Sequence, residues 1–117
     1  MDLNTAIQKH AEWKFKFRNA IFANQIMDVA AIAKDNHCDF GKWLHGEGMA
    51  LYGHSVSFQK CLAGHAAFHA EAGKIATTIN ARKKEEAEKM LAAGSAFSEA
   101  SKHVSIAIVE LGQEVKA

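Results

Sequence analysis

Four side chains dominate the chemistry open to this sequence: His10, Cys38, and the pair His65 and His69 in the segment HAAFH. Two histidines four apart share one face of any helix that carries them. Cys38 opens the segment CDFGKWL, and His10 opens HAEW. Three imidazoles and one thiolate fill a tetrahedral shell, a donor set that suits Zn²⁺ better than the hard, oxygen-seeking cations. With every position supplied by the protein, none is left for an activated water, which argues against hydrolytic zinc chemistry. The sequence also offers no catalytic carboxylate pair, no nucleophile beside a base and no phosphate loop. These residues therefore read as a regulatory site and not as an enzyme's.

Such a site requires elements that carry three distant stretches of chain to one point. Proline is absent, alanine is abundant and β-branched clusters are few, so helix is favoured nearly throughout. Apolar residues recur at helical spacing from Leu3 through Ile7, Trp13, Phe17, Ala20 and Ile21, with Asp2 or Asn4 available as a cap. His10 lies seven residues from both Leu3 and Phe17 and so shares their inward face. A straight helix from His10 to Lys34 would extend roughly 36 Å at 1.5 Å per residue. The steps from Lys34 to Cys38 recover at most ~14 Å. Meeting of the two ligands therefore demands a break, and Ala23 to Met27 followed by Asp28 as a new cap is the best place for it. A short helix from Asp28 to about Asp35 then folds back along the first.

The stretch from Asn36 to His54, with Gly41, Gly46, Gly48 and Gly53, reads as turns around one short helix from about Phe40 to His45. Ser55 caps the next long helix, whose inward stripe is Phe58, Leu62, His65, His69, Ala72, Ala76 and Ile79. Asn80-Ala81-Arg82 makes a tight reversal, and a last helix runs to about Gly112 with Ala87, Met90, Leu91, Gly94, Phe97, Ser101, Val104, Ile108 and Leu111 inward. The expected fold is all-α: an antiparallel four-helix bundle, one domain over residues 1–117, with a short helical insert between the first helix and the long one.

An unpaired neutral imidazole buried in such a bundle costs on the order of 1–3 kcal/mol. Three of them would strain a stability of only ~5–15 kcal/mol. A shared cation turns that cost into a gain, since structural zinc contributes on the order of 10 kcal/mol.

HAEW, DNHCDFGKWLHGEG, the following Tyr52-Gly53, Phe58 and HAAFH together resemble the chemoreceptor zinc-binding (CZB) domain family. That family's pattern is a His near the start with a Trp soon after, then Cys-x-[aliphatic or Phe]-Gly-x-Trp, then His-x-x-x-His. The resemblance covers nearly the whole chain and implies His10, Cys38, His65 and His69 as zinc ligands. It implies structural roles for Gly41, which admits backbone behind the cysteine, and for Trp43, which packs the short helix onto the bundle. Asp35 matches an acidic residue often found before the cysteine, while Ser55-Val56 stands where members often carry proline. Such domains sit on the cytoplasmic ends of bacterial chemoreceptors and beside diguanylate cyclases, and are dimeric. The resemblance thus implies a homodimeric signalling module that responds to zinc or to oxidants such as hypochlorous acid.

Other features narrow the choice. The formal charge of +1, with acidic and basic residues well mixed, gives no reason to propose nucleic acid or a membrane as partner. No apolar run approaches the ~20 residues needed to cross a bilayer, and the start of the chain lacks the layout of a secretory signal. Two cysteines make no disulfide framework, which points to the reducing cytoplasm. His37, His45 and His54 are expected at the surface, His103 has no partner on its helix, and Cys61 is expected to be a buried core thiol. Phe15, Phe17, Phe22, Phe58, Phe68 and Phe97 read as core or dimer contact. Two alternatives compete: a hemerythrin-like di-iron bundle, which needs bridging carboxylates near the histidines, and a metal-free helical interaction domain.

Overall fold

The computed structural model describes residues 1–116, and those residues contain helices and no strand. Eight helices follow one another among them: α1 Leu3–Ala11, α2 Trp13–Ala23, α3 Val29–Ala33, α4 Asp39–His45, α5 Glu47–Tyr52, α6 Val56–Asn80, α7 Lys84–Met90 and α8 Ala96–Lys116. None is long and apolar enough to cross a membrane.

The long helix α6 is the axis of the molecule, packing against α8, α3, α7 and α2. Its N-terminus is capped by the Ser55 hydroxyl, which accepts the Phe58 N–H at 3.2 Å. Phe58, His65, His69, Ala72, Ala76 and Ile79 are buried as the stripe predicts, and Leu62 is partly buried. Cys61, Phe68, Gly73 and Ile75 are buried as well. The buried arc is wider than one stripe because partners cover α6 on several sides.

Contacts along the helices set their directions. Ser55 at the start of α6 bonds Glu114 near the end of α8 at 2.7 Å, so these two run antiparallel. Ile32 in α3 lies at His69, while Met27 before α3 lies at Asn80, so α3 also runs against α6. His10 of α1 meets His65 and Arg82 reaches the Asn24 carbonyl, so α1 and α2 run with α6.

The predicted break lies where the reach argument requires it. Helix α2 ends at Ala23, Asn24 turns left-handed at φ 55°, and Asp28 caps α3 by accepting the Ala31 N–H at 3.1 Å. Asn80 then clamps the reversal from the far end of α6, accepting the Met27 N–H and donating to the Met27 carbonyl, both at 2.8 Å. Asp2, not Asn4, caps α1 by accepting from the Asn4 and Thr5 amides.

Four expectations need correction. The helix α3 folds back against the direction of the first helix as expected, but it stops at Ala33, short of Asp35, and its main packing partner is α6. Gly73 of α6 makes this possible, since a Cβ there would lie 2.7 Å from the Ala33 Cβ. The glycine-rich stretch holds a second short helix, α5, beyond α4. Gly48 lets α5 sit against the Trp43 ring, 2.9 Å from where its Cβ would be. The first helix is interrupted at Glu12, although hydrogen bonds from Glu12 to Gln8 and from Lys16 to Glu12 continue across the joint. The last helix is broken between Met90 and Ala96, where Gly94 adopts φ 83° and the Ser95 hydroxyl caps α8 by accepting the Ser98 N–H. A glycine able to take that conformation followed by a capping serine ends one helix and starts another without moving the buried stripe of Leu91 and Phe97.

Candidate metal centre

His65 and His69 project from the middle of α6, four residues apart, into the interior between α1, α3 and α4. His10 enters from α1 and Cys38 from the N-cap position of α4. One donor atom from each lies within 4.8 Å of every other, and the cluster contains no Asp or Glu. All four predicted ligands are thus brought together.

The spacing discriminates among uses of such a cluster. The Nε2 atoms of His10 and His65 are 3.0 Å apart, and those of His65 and His69 are 3.1 Å apart. Cys38 Sγ lies 3.9, 3.4 and 3.7 Å from the Nε2 atoms of His10, His65 and His69. Tetrahedral zinc with bonds of ~2.0–2.1 Å to nitrogen and ~2.3 Å to sulfur puts N···N edges near 3.3 Å and S···N edges near 3.6 Å. These five edges fall within a few tenths of an ångström of those values, and the sixth, between His10 and His69, is no longer than 4.8 Å.

Proton placement points the same way. His10 Nδ1 lies 2.6 Å from the Ala6 carbonyl and His69 Nδ1 lies 2.8 Å from the Ile32 carbonyl. A carbonyl oxygen only accepts, so each Nδ1 carries the proton and each Nε2 turns a bare lone pair toward the centre. These carbonyl bonds also orient the rings, as outer partners of metal-binding histidines do. His65 Nδ1 is buried with no hydrogen-bond partner among the described residues. Its ring is instead held edge-on against Phe40 at 5.1 Å and between the two other imidazoles. Two bare Nε2 lone pairs, a third imidazole and a thiol sulfur thus converge at a largely buried point, an arrangement that a shared cation would stabilise.

Burial sets the ionisation of the group. His10, His65 and His69 are 4%, 0% and 3% exposed. Desolvation lowers the pKa of all three, most for His65, which is pushed down to about 2 with its two imidazole neighbours adding to the effect. For His69 the Ile32 carbonyl and Asp35 partly oppose that trend. Neutral imidazole is the metal-binding form, so the site is primed at ordinary pH. Burial raises the Cys38 thiol, opposed chiefly by the Gly41 N–H, which donates to Sγ at 3.3 Å.

Helix α4 is positioned by its glycine and its aromatics. A Cβ on Gly41 would overlap the Asp35 carbonyl oxygen, so only glycine allows the chain before Cys38 to cross behind the helix. Trp43 lies stacked on Phe40 and near Phe58 and Tyr52, fixing α4 to the start of α6.

A comparison with known families matches residues 10–76 to the chemoreceptor zinc-binding domain, more than half of the chain and a span that holds all four clustered residues. The chain belongs to the CZB family. No curated protein and no solved structure matches it. Within this CZB domain the remaining histidines behave differently. His37 and His54 are exposed and outside the cluster, as is His103 on α8. His45 is also at the surface but has a partner, Asp35 Oδ2 at 3.0 Å, which ties the end of α4 to the turn before Cys38. Cys61 is buried and stands outside the cluster, and burial pushes its thiol up to about 12. Sequence reasoning missed the Ala6 and Ile32 carbonyls that fix the two tautomers. Ala6, four residues before His10 on one helix, was readable as such a partner; Ile32 depends on how α3 docks.

Proposed function

We propose that this chain is a regulatory zinc-binding sensor domain of bacterial signalling, of the chemotaxis or cyclic-di-GMP type, with His10, Cys38, His65 and His69 as the ligands. The observation that carries this reading is the convergence of three imidazole Nε2 atoms and one sulfur within 4.8 Å of one another in a CZB-family chain. Zn²⁺, when bound, would supply a positive charge that holds α1, α6 and the α4 turn to one point. The fold is taken as a four-helix bundle formed by α1 with α2, α3, α6, and α7 with α8, working as one domain over residues 1–117. We place it in the cytoplasm, as a homodimer whose output passes to a chemoreceptor or a diguanylate cyclase, and assign it no catalytic role.

Cys38 is the switch in this reading. It is the one sulfur in the set and the one half-exposed member, whereas the three imidazoles are buried. Its thiolate gives up two electrons to hypochlorous acid: the oxidant's oxygen and proton end on sulfur as a sulfenic acid and chloride leaves. A sulfenic acid is a poorer ligand than a thiolate, so the turn from Lys34 to Leu44 loses its anchor while His65 and His69 stay on α6. Zinc availability itself is the second input, acting on the same turn.

The deciding experiment is zinc content by elemental analysis, together with zinc release under hypochlorous acid, for wild type and Cys38→Ser. Wild type should carry one zinc per chain and release it on oxidation. Cys38→Ser should bind at least ~10-fold more weakly and show no oxidant-triggered release. Equal release from the mutant sinks the redox switch; absence of zinc from wild type sinks the zinc site.

A further inference from the structure

Resting on the zinc-site reading, we propose that the cleft between α1 and α4 is the reagent port of the centre: a binding site for small, uncharged, thiol-directed electrophiles, gated by Lys9 and Asp39. The cleft has a volume of about 370 Å³ and is lined by Thr5, Lys9, Trp13, Cys38, Asp39 and Phe40 among others. It touches two of the four clustered residues, Cys38 and His10, and neither His65 nor His69. A second cleft reaches His10 from the α8 side, past Phe97 and Ser101, and does not include Cys38. Of these two clefts, the one on the α1–α4 side reaches the sulfur.

The lining selects a class of visitor. Trp13, Phe40 and Ala6 supply apolar walls. Lys9 and Lys16 are offset by Asp2, Glu12 and Asp39, so the rim gives anions no electrostatic advantage. Across the mouth, Lys9 Nζ of α1 meets Asp39 Oδ2 of α4 at 3.6 Å, with both side chains well exposed. An exposed pair of this kind is worth ~0–1 kcal/mol, so it screens the cleft without sealing it. Lys16 is held aside over the Trp13 ring, 4.6 Å from its centroid. Thr5, one turn before Lys9 on α1, also lines the cleft.

Alkylation tests this directly: an S–C bond forms at Cys38, the C–I bond breaks, iodide leaves and the thiol proton goes to solvent. Iodoacetamide and its N-benzyl derivative share that chemistry and differ in size, so the ratio of their rates cancels any change in thiol ionisation. Rates are read at Cys38 by peptide mass mapping on the full chain as purified, with zinc content recorded in parallel. Thr5→Trp, a change at an exposed position, should lower the benzyl-to-parent rate ratio by about fivefold or more, because access controls thiol reactivity. Lys9→Ala should raise the ratio about twofold by removing the screen. Iodoacetate should gain no rate over iodoacetamide at Cys38 relative to a free thiol, and a preference for iodoacetate there would overturn the selection of uncharged reagents. Unchanged ratios in both variants overturn the port. If the ratios shift and no preparation holds zinc, the port stands and the zinc reading fails; if zinc is present and the ratios are flat, the reverse holds.

Discussion

The two sources of the clustered side chains differ in how they are built. His65 and His69 sit in the middle of a 25-residue helix whose buried face is covered by α8, α3, α7 and α2. Moving either imidazole means moving the core. Cys38 stands at the start of a seven-residue helix, at the end of a turn held by a glycine contact, the exposed His45–Asp35 hydrogen bond and a few aromatic contacts. The first source fixes the geometry of the site; the second can let go at small cost. Chemistry that must report a signal belongs on the second, and there the sequence puts its one clustered sulfur.

The sharpest way to break that contrast is acid. In protein stripped of metal, burial holds the pKa of His10, His65 and His69 below the ordinary 6.5. The unfolded chain therefore binds more protons than the folded one once pH falls below that value, and folding loses stability on acidification. Each histidine contributes a slope of up to ~1.4 kcal/mol per pH unit. The Cys38 and Cys61 thiols are raised above 9.0, so the folded chain binds more protons on the alkaline side and stability falls there too. Urea midpoints of the metal-free protein should peak between about pH 7 and 8 and fall steeply toward pH 5. A flat profile from pH 7 to 5 would show that the imidazoles are not buried as a unit.

How much of this was legible follows from range. The four clustered residues and the stripe of α6 were readable because metal-ligand types and helical period are local properties. The break at Ala23 to Asp28 was readable because chain length forbids the alternative. The docking of α3 on α6 was not, since it depends on Gly73 meeting Ala33 across forty residues of chain. The interruption at Gly94 carried a signal, glycine followed by a capping serine, which the continuous stripe from Leu91 to Phe97 outweighed. Helix α5 was hidden by its glycines: Gly48 reads as a turn until the Trp43 ring occupies the space that a side chain would need.

Gly41→Ala is the next smaller perturbation and acts on the weak side alone. A methyl group there overlaps the Asp35 carbonyl, so the turn before Cys38 must shift or detach from α4. The cost cannot exceed that of releasing the turn, because local opening relieves it. Zinc affinity should fall by about 100-fold, roughly 3 kcal/mol, in competition with a chromophoric chelator. The thermal midpoint of the metal-free protein should move little. A large fall in that midpoint would mean that the turn and α6 unfold together, and the contrast would be lost.

Asn80 tests the joint between the two sources. Its side-chain amide accepts the Met27 N–H and donates to the Met27 carbonyl, tying the start of the α3 segment to the last turn of α6. Each such bond contributes ~0.5–1.5 kcal/mol net, so Asn80→Ala should cost about 1–2 kcal/mol. How that cost is spread distinguishes two architectures. If the α3 segment is an independent flap, hydrogen exchange should quicken at Met27 and through Ala31 and Ile32, with α6 and α8 unchanged. Because His69 Nδ1 donates to the Ile32 carbonyl at 2.8 Å, loosening Ile32 also removes the group that orients His69. Zinc affinity should then drop by several-fold in Asn80→Ala although the mutated residue lies eleven positions from the nearest clustered histidine. Faster exchange with unchanged zinc affinity would show that packing alone orients His69, and that the joint serves the fold without serving the site.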